Sequence, residues 1–296
     1  MTDPKTEEQV APPVETDVDA AEERAATAVV EPPKFKKQRS RTSQALIDLI
    51  YPVVTLAVVI LAWEAWVNWR DVPSYLIPTP SSAFAEMVEQ SGFLWDQLWV
   101  TAQETIYGYL ISVLLGIPLA IAIAGSRFVE KCLYPLLVAS QVFPKVALAP
   151  VFLIWLGFGI ASKVLIVILI SFFPIVVNGV IGLQSVEQEK IYLARSMGAS
   201  SLKTFTRIRL PHSLPALFGG LKLAAIFAVV GAVVGEFIGA DAGLGRTLLL
   251  ANGNLNTRLL FATIGYLTLF GVAFYLVIDI IERIMIPWHV SKRRIE

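Results

Sequence analysis

The chain has 296 residues and no net formal charge; 55% of it is apolar, only 16% is charged, and its mean hydropathy is +0.65. A soluble domain carries about a quarter charged residues, so this composition excludes an ordinary soluble globule, and the charge balance removes any global argument for a polyanionic partner such as nucleic acid. The single cysteine, Cys132, excludes an intrachain disulfide and a multi-cysteine metal site, and His212 and His289 suggest no zinc motif.

Residues 1–42 are rich in Glu, Asp, Ala, Val and Pro, with Pro12-Pro13 and Pro32-Pro33 as breakers. Such a segment cannot bury enough apolar surface to offset its ordering entropy, so it is predicted to be a disordered tail. Lys34, Lys36, Lys37, Arg39 and Arg41 end it as a basic run. That run reads as a topogenic cluster or as a surface for a partner or anionic lipid headgroups. No cleavable signal peptide is visible, because the first apolar segment starts only near Ile50.

The bilayer core is roughly 30 Å thick, and a helix needs about 20 mostly apolar residues to cross it. Six segments qualify: 50–69, 101–124, 133–156, 164–183, 214–238 and 259–286. The fold class is therefore all-α integral membrane, with a transmembrane domain over 43–290 and a short tail at 291–296. Pro135, Pro144 and Pro150 mark the third span as bent or broken. Small residues such as Gly219-Gly220 and Gly231-Ala232 in the fifth span allow close helix approach.

Basic loop residues set the orientation. One side groups the N-terminal run with Arg127 and Lys131, the Lys190–Arg209 loop, and Lys292, Arg293 and Arg294. The other side has Arg70, Lys163, Arg246 and Arg258. Both termini are predicted to be cytoplasmic in the plasma (inner) membrane, which requires an even number of spans. On the outer side a short helix from about Ser81 to Gln90 is expected, capped by Ser81 or Ser82. The Gly243-Leu244-Gly245 turn lacks the Gly-Lys-Ser/Thr of a phosphate loop.

The loop over 184–213, between the fourth and fifth spans, is polar but helically periodic. Ile191, Ala194 and Met197 share a face, and Gly198 supplies the C-terminal stop. Ser200 is the expected N-cap of a second short helix in which Leu202, Phe205 and Ile208 share a face. Pro211 and Pro215 bracket re-entry to the bilayer. The product is a helix-Gly-helix elbow.

Ala194, Gly198, Ile208, Arg209, Leu210 and Pro211 keep the spacing of the "EAA" loop, and this segment resembles that loop in permeases of binding-protein-dependent ATP-binding-cassette importers. Tyr192-Leu193 stand where the family has Glu-Ala. The stretch Phe143–Pro150 with Ile154-Trp155-Leu156-Gly157 is similar to the nitrate/taurine/alkanesulfonate branch, as are Glu236–Gly239, Gly243-Leu244-Gly245 and Pro78-Thr79-Pro80. The resemblance implies a type I permease with six spans and a cytoplasmic coupling helix between spans four and five. It implies that Ala194, Gly198, Leu202, Phe205, Ile208, Leu210 and Pro211 couple the chain to an ATPase. The implied partners are two ATPase subunits, a second permease copy in a homodimer, membrane lipid, and an extracytoplasmic binding protein that delivers a small organic solute or anion. ATP and Mg would be bound by the ATPase, with no cofactor, metal or catalytic residue in this chain.

A charge within a span calls for an explanation, since it costs about 2.5–3.5 kcal/mol on insertion scales. Lys145 and Asn178 are candidates for the translocation path. Glu236 either lines that path, pairs across a dimer, or contacts the Gly243-Leu244-Gly245 turn. Glu64 and Asp279 read as interfacial or intersubunit partners. Two rivals remain open at this level: an ion-gradient-driven secondary transporter, and a membrane scaffold that recruits a cytoplasmic protein.

Overall fold

The structure is a computed structural model that describes residues 41–287. Residues 1–40 and 288–296, which include nearly all of the expected disordered tail and the short C-terminal tail, lie outside the described residues. The chain divides into two compact units, Met1–Val58 and Val59–Glu296. Helix α1 (Arg41–Trp69) begins in the first, where residues 50–58 are all exposed apolar or small side chains.

The second unit holds the end of α1 and ten further α-helices. They are α2 (Pro80–Glu89), α3 (Ser91–Gly125), α4 (Arg127–Val142), α5 (Ala149–Leu156) and α6 (Ile160–Gln184). Then come α7 (Gln188–Ser196), α8 (Ser201–Thr204), α9 (Leu210–Gly239), α10 (Leu244–Gly253) and α11 (Thr257–Met285). All regular structure among the described residues is helical. Five helical runs are long and apolar enough to cross a membrane: Ile50–Trp69, Ser91–Gly125, Ile160–Gln184, Ser201–Gly239 and Thr257–Met285.

The remaining predicted segment, the third, is folded as a bent pair. Arg127–Val142 and Lys145–Leu156 meet at 86°, so the count is five spans, or six if the pair crosses as one. The cause is local. Pro144 disfavours the helical region for the residue before it, and Phe143 is extended at φ −69°, ψ 132°. A short 3₁₀ turn, Lys145–Leu148, then leads into α5.

Other boundaries differ from the hydropathy reading for physical reasons. Helix α3 starts ten residues before Thr101, because nothing in Ser91–Val100 breaks a helix where the hydrocarbon ends. Helix α2 is capped by Thr79 and not by Ser81 or Ser82: the Thr79 side chain accepts from the Ser82 N–H, with Pro80 in the first turn. Pro211 opens α9 and Pro215 lies inside it, so the expected loop between elbow and fifth span is absent and the run from Ser201 to Gly239 is continuous.

The core is the packing of α6 between α3 and α9. Tyr109, Val167, Ile175, Leu217, Phe218, Leu221 and Ala228 form one buried cluster across these three helices. Lipid supplies no hydrophobic drive for helices to associate, so close contact rests on small residues. A Cβ placed on Gly220 would fall 2.6 Å from the Asn178 Cβ, and one on Gly231 would fall 2.9 Å from the Val167 Cα. On the other side of α6, a Cβ on Gly108 would lie 2.4 Å from that of Val167. Residue 167 is thus gripped from both flanks.

This packing separates two glycines of α9, Gly219 and Gly231. Gly231→Ala should destabilise the protein by about 1–3 kcal/mol, the usual cost of overpacking. Gly219→Ala, where an added Cβ meets nothing within 4 Å, should leave stability at or above wild type. Thermal unfolding of the two variants in detergent checks this.

Candidate functional site

The elbow is built by α7 and α8. Helix α7 ends in a Schellman motif: the Ala199 N–H donates to the Ala194 carbonyl at 3.0 Å, and the Gly198 N–H donates to that of Arg195 at 2.9 Å. Gly198 sits at φ +81°, a left-handed conformation that only glycine adopts without strain. Ser200 then caps α8, accepting from the Lys203 N–H at 3.3 Å. The next turn, Phe205–Arg209, is π-helical, with the Leu210 N–H reaching back to the Phe205 carbonyl. Pro211 follows at once in the first turn of α9.

The π turn shifts the face expected for the second arm. Phe205 and Ile208 are half-buried, as are Ala194, Leu210 and Pro211, whereas Leu202 is 72% exposed. A turn wider than 3.6 residues breaks the i, i+3, i+6 register that would have placed the three together. Tyr192, Leu193, Met197 and Leu202 instead present exposed apolar side chains around the bend. Ile191 alone of the first arm is fully buried, anchoring α7 to the bundle.

Lys145 and Asn178 are brought together. Both line a cavity of about 430 Å³ between the bent pair, α6 and α9, with Gln141, Phe173 and Phe227. The Lys145 ammonium lies 3.9 Å from the centroid of the Phe173 ring, a cation–π contact. No described carboxylate pairs with it. Asn178 donates to the Pro174 carbonyl at 2.9 Å, one turn back in its own helix. The cavity thus combines one cation, two amide side chains and two aromatic rings.

Glu236 is not part of this cavity. It is fully buried, and the sequence-level alternative of a contact with the glycine turn describes its surroundings. Its Oε1 accepts from the Thr101 hydroxyl at 2.7 Å, and its Oε2 accepts from the N–H groups of Gly245 at 2.5 Å and Arg246 at 3.3 Å. The Leu244 N–H goes to Thr101 Oγ1 at 2.9 Å and the Gly243 N–H to Gln97 at 2.8 Å. These are the first amides of α10, which have no partner within their own helix. The carboxylate therefore caps a helix N-terminus, where the helix dipole favours it. Gly243, at φ +114°, has no room for a side chain, because a Cβ there would fall 2.3 Å from the Glu236 carboxyl carbon.

Three further intramembrane carboxylates find partners within the chain. Glu64 accepts from the backbone N–H and hydroxyl of Ser81 at 3.0 and 2.7 Å, which ties α1 to α2. Asp279 and Glu282 of α11 both contact Lys222 of α9, at 3.3 and 2.5 Å, and Arg283 adds a 2.7 Å contact to Asp279. Sequence reasoning had not singled out Lys222, Glu282 or the aromatic partner Phe173. The signal for the first two was present, since each is a charge set in an apolar run.

Comparison with known proteins decides what such a bundle is. A sequence profile described as "Binding-protein-dependent transport system inner membrane component" matches residues 112–288, more than half of the chain. The chain belongs to this family. Among relatives of the permease, the riboflavin transport system permease protein RibX of Chloroflexus aurantiacus is 33% identical over 240 residues, covering 80% of this chain and 90% of that one. The formylaminopyrimidine transport permease protein ThiX of Halalkalibacterium halodurans is 36% identical over 238 residues, covering 80% and 95%. The taurine transport system permease protein TauC of Escherichia coli is 28% identical over 242 residues, covering 79% and 88%. The fold is shared with a chain of the MetNI methionine ABC transporter in an inward-facing conformation, at TM-score 0.57 and 18% identity, over 66% of this chain and 97% of that one. The chain is thus a multi-pass permease of an ATP-binding-cassette importer.

The two kinds of intramembrane polar residue should separate experimentally. Glu236→Ala leaves the Gly245 and Arg246 amides unsatisfied and should cost about 3 kcal/mol of stability. Lys222→Ala strands the buried Glu282 carboxylate, leaves Asp279 with Arg283 alone, and should cost about 3 kcal/mol. Lys145→Met should change transport with little effect on unfolding, since Lys145 pairs only with a ring face. Parallel unfolding and uptake measurements on the three variants check the assignment.

Proposed function

We propose that the elbow is the site where this permease meets a cytoplasmic ATPase, and that the Lys145–Asn178 cavity is part of the path for a small organic solute or anion. The observation that carries the reading is mechanical. The second arm of the elbow continues without a break into α9, and Leu223 and Phe227 of α9 form a wall of the cavity. A displacement at Leu202 is therefore delivered along a stiff helix to the cavity wall.

On this reading two copies of the chain form six-span halves of a homodimer with both termini in the cytoplasm. An extracytoplasmic binding protein delivers the solute to the outer face. Two ATPase subunits bind ATP and Mg, and their closure draws the elbows together and opens the path outward. Hydrolysis then returns the dimer to the inward-facing state. The exposed apolar residues around Gly198 suit insertion into a groove on the ATPase, and Ala194, Gly198, Leu202, Phe205, Ile208, Leu210 and Pro211 shape that contact. The Lys145 cation beside Phe173 and Phe227 suits a solute with a negative group and a planar or apolar body. Of the solutes for which relatives are named, taurine has the negative group, and riboflavin and formylaminopyrimidine have the planar ring.

Gly198→Asp is the discriminating variant. An added Cβ at Gly198 meets nothing within 4 Å, and Asp tolerates the left-handed region better than most residues, so insertion and folding should survive. Placed at the bend, the added bulk and charge should abolish ATP-dependent uptake. The tagged wild-type chain, purified in mild detergent, should carry an ATPase that the variant loses. Normal uptake by the variant, or uptake that persists without ATP and collapses with the proton gradient, would rule out this coupling role.

A further inference from the structure

The end of the bundle that carries the elbow holds a second cavity, distinct from the one at Lys145. It measures about 510 Å³ and lies where the ends of α3 and α6, the start of α4, α7 and the π turn converge. Three arginines line it: Arg127 opens α4, Arg195 is in the last turn of α7, and Arg209 ends the π turn. The one carboxylate in the lining is Glu130, whose Oε1 already accepts from the Gln184 amide at 2.9 Å. Among the described residues none of the three guanidinium groups forms a salt bridge or donates a hydrogen bond.

Three cations gathered around one cleft repel each other, and the lone carboxylate leaves most of that repulsion uncompensated. By contrast, Lys222 has two carboxylates and Arg283 has Asp279. We propose that this cleft is a binding site for a phosphate group, carried either by an anionic phospholipid headgroup or by a small phosphorylated solute. The planar fork of arginine pairs bidentately with phosphate oxygens, which a lysine cluster would not do with the same geometry. The volume exceeds what a bare ion fills and falls within the range of small-molecule sites, roughly 300–1,000 Å³. The phosphate therefore enters with an attached body, for which the exposed Gln184 and Tyr192 provide polar and aromatic contacts.

The position gives the site a consequence. Arg195 and Arg209 belong to the two arms of the elbow, while Arg127 belongs to α4, the first half of the bent pair. A bound phosphate bridges them and holds the elbow against the bundle. On the topology proposed above the cleft opens at the cytoplasmic membrane surface, but the binding itself does not depend on that reading.

The test uses the full-length chain, purified and delipidated in a neutral detergent. One arm titrates inorganic phosphate by calorimetry. The other measures retention of phosphatidylglycerol against phosphatidylcholine by native mass spectrometry. Wild type should show one saturable site per chain, with at least a tenfold preference for phosphatidylglycerol or a saturating phosphate isotherm. Arg127→Gln with Arg209→Gln should weaken it at least tenfold. Lys131→Gln with Arg207→Gln, which removes the same charge outside the cleft, should leave it unchanged. A signal in the phosphate arm alone assigns a free phosphorylated solute, and one in the lipid arm alone assigns a headgroup; both support the site. No saturable binding of either probe, or equal weakening by the two double variants, overturns it. If the cleft double variant does not insert, Arg127→Gln alone, at an exposed position, carries the same comparison with a smaller loss.

Discussion

The contact on which the rest of the structure depends is the close approach of α6 to α9. At Gly220 and Gly231 the helix surfaces meet with no space for even a methyl group. Dispersion between closely fitted backbones is the force available to helices in lipid, and only small residues permit it. Because α6 carries Phe173 and Asn178 while α9 carries the elbow at one end and Glu236 at the other, this one seam fixes both functional regions relative to each other. A larger residue at these glycines would separate the cavity wall from the helix that moves it.

Buried charges then lock the frame at separate points. Near the end of α9 the Glu236 carboxylate gathers three hydrogen bonds and caps α10, which brings α3, α9 and α10 to a single point. Further back along α9, Lys222 binds two carboxylates of α11. Breaking either arrangement leaves a polar group without a partner in a medium that offers none, which makes these contacts strict about geometry. Glu104 is the exception, with an Oε2 that is buried and unpartnered among the described residues.

The polar groups open to cavities have a different character. Lys145 rests against a ring face and Asn178 hydrogen-bonds its own helix, so neither is engaged in an ion pair or in a hydrogen bond to another helix among the described residues. Among the described residues, the side chains of Arg127, Arg195 and Arg209 form no hydrogen bond or salt bridge. Side chains with spare hydrogen-bonding capacity facing a cavity can accept a ligand without dismantling the fold, whereas Glu236 and Lys222 cannot. That distinction separates binding residues from structural ones in a chain where every intramembrane charge looks equally conspicuous.

Hydrophobic runs, proline positions and the Gly198-to-Pro211 spacing determined the helical membrane class, the broken third segment and the elbow, because each is a local consequence of backbone chemistry. The Gly198 stop and the Ser200 cap needed only neighbours within a few residues. Helix α10, the early start of α3 and the unbroken path from Ser201 into α9 escaped, because a hydropathy pattern marks where the hydrocarbon ends and not where a helix ends. The π turn escaped as well, and with it the outward position of Leu202. Which charge meets which was decided only in three dimensions. Glu236 finds Thr101 across 135 residues and Lys222 finds Glu282 across 60, and pairing over such separations depends on how helices pack, which no local pattern encodes.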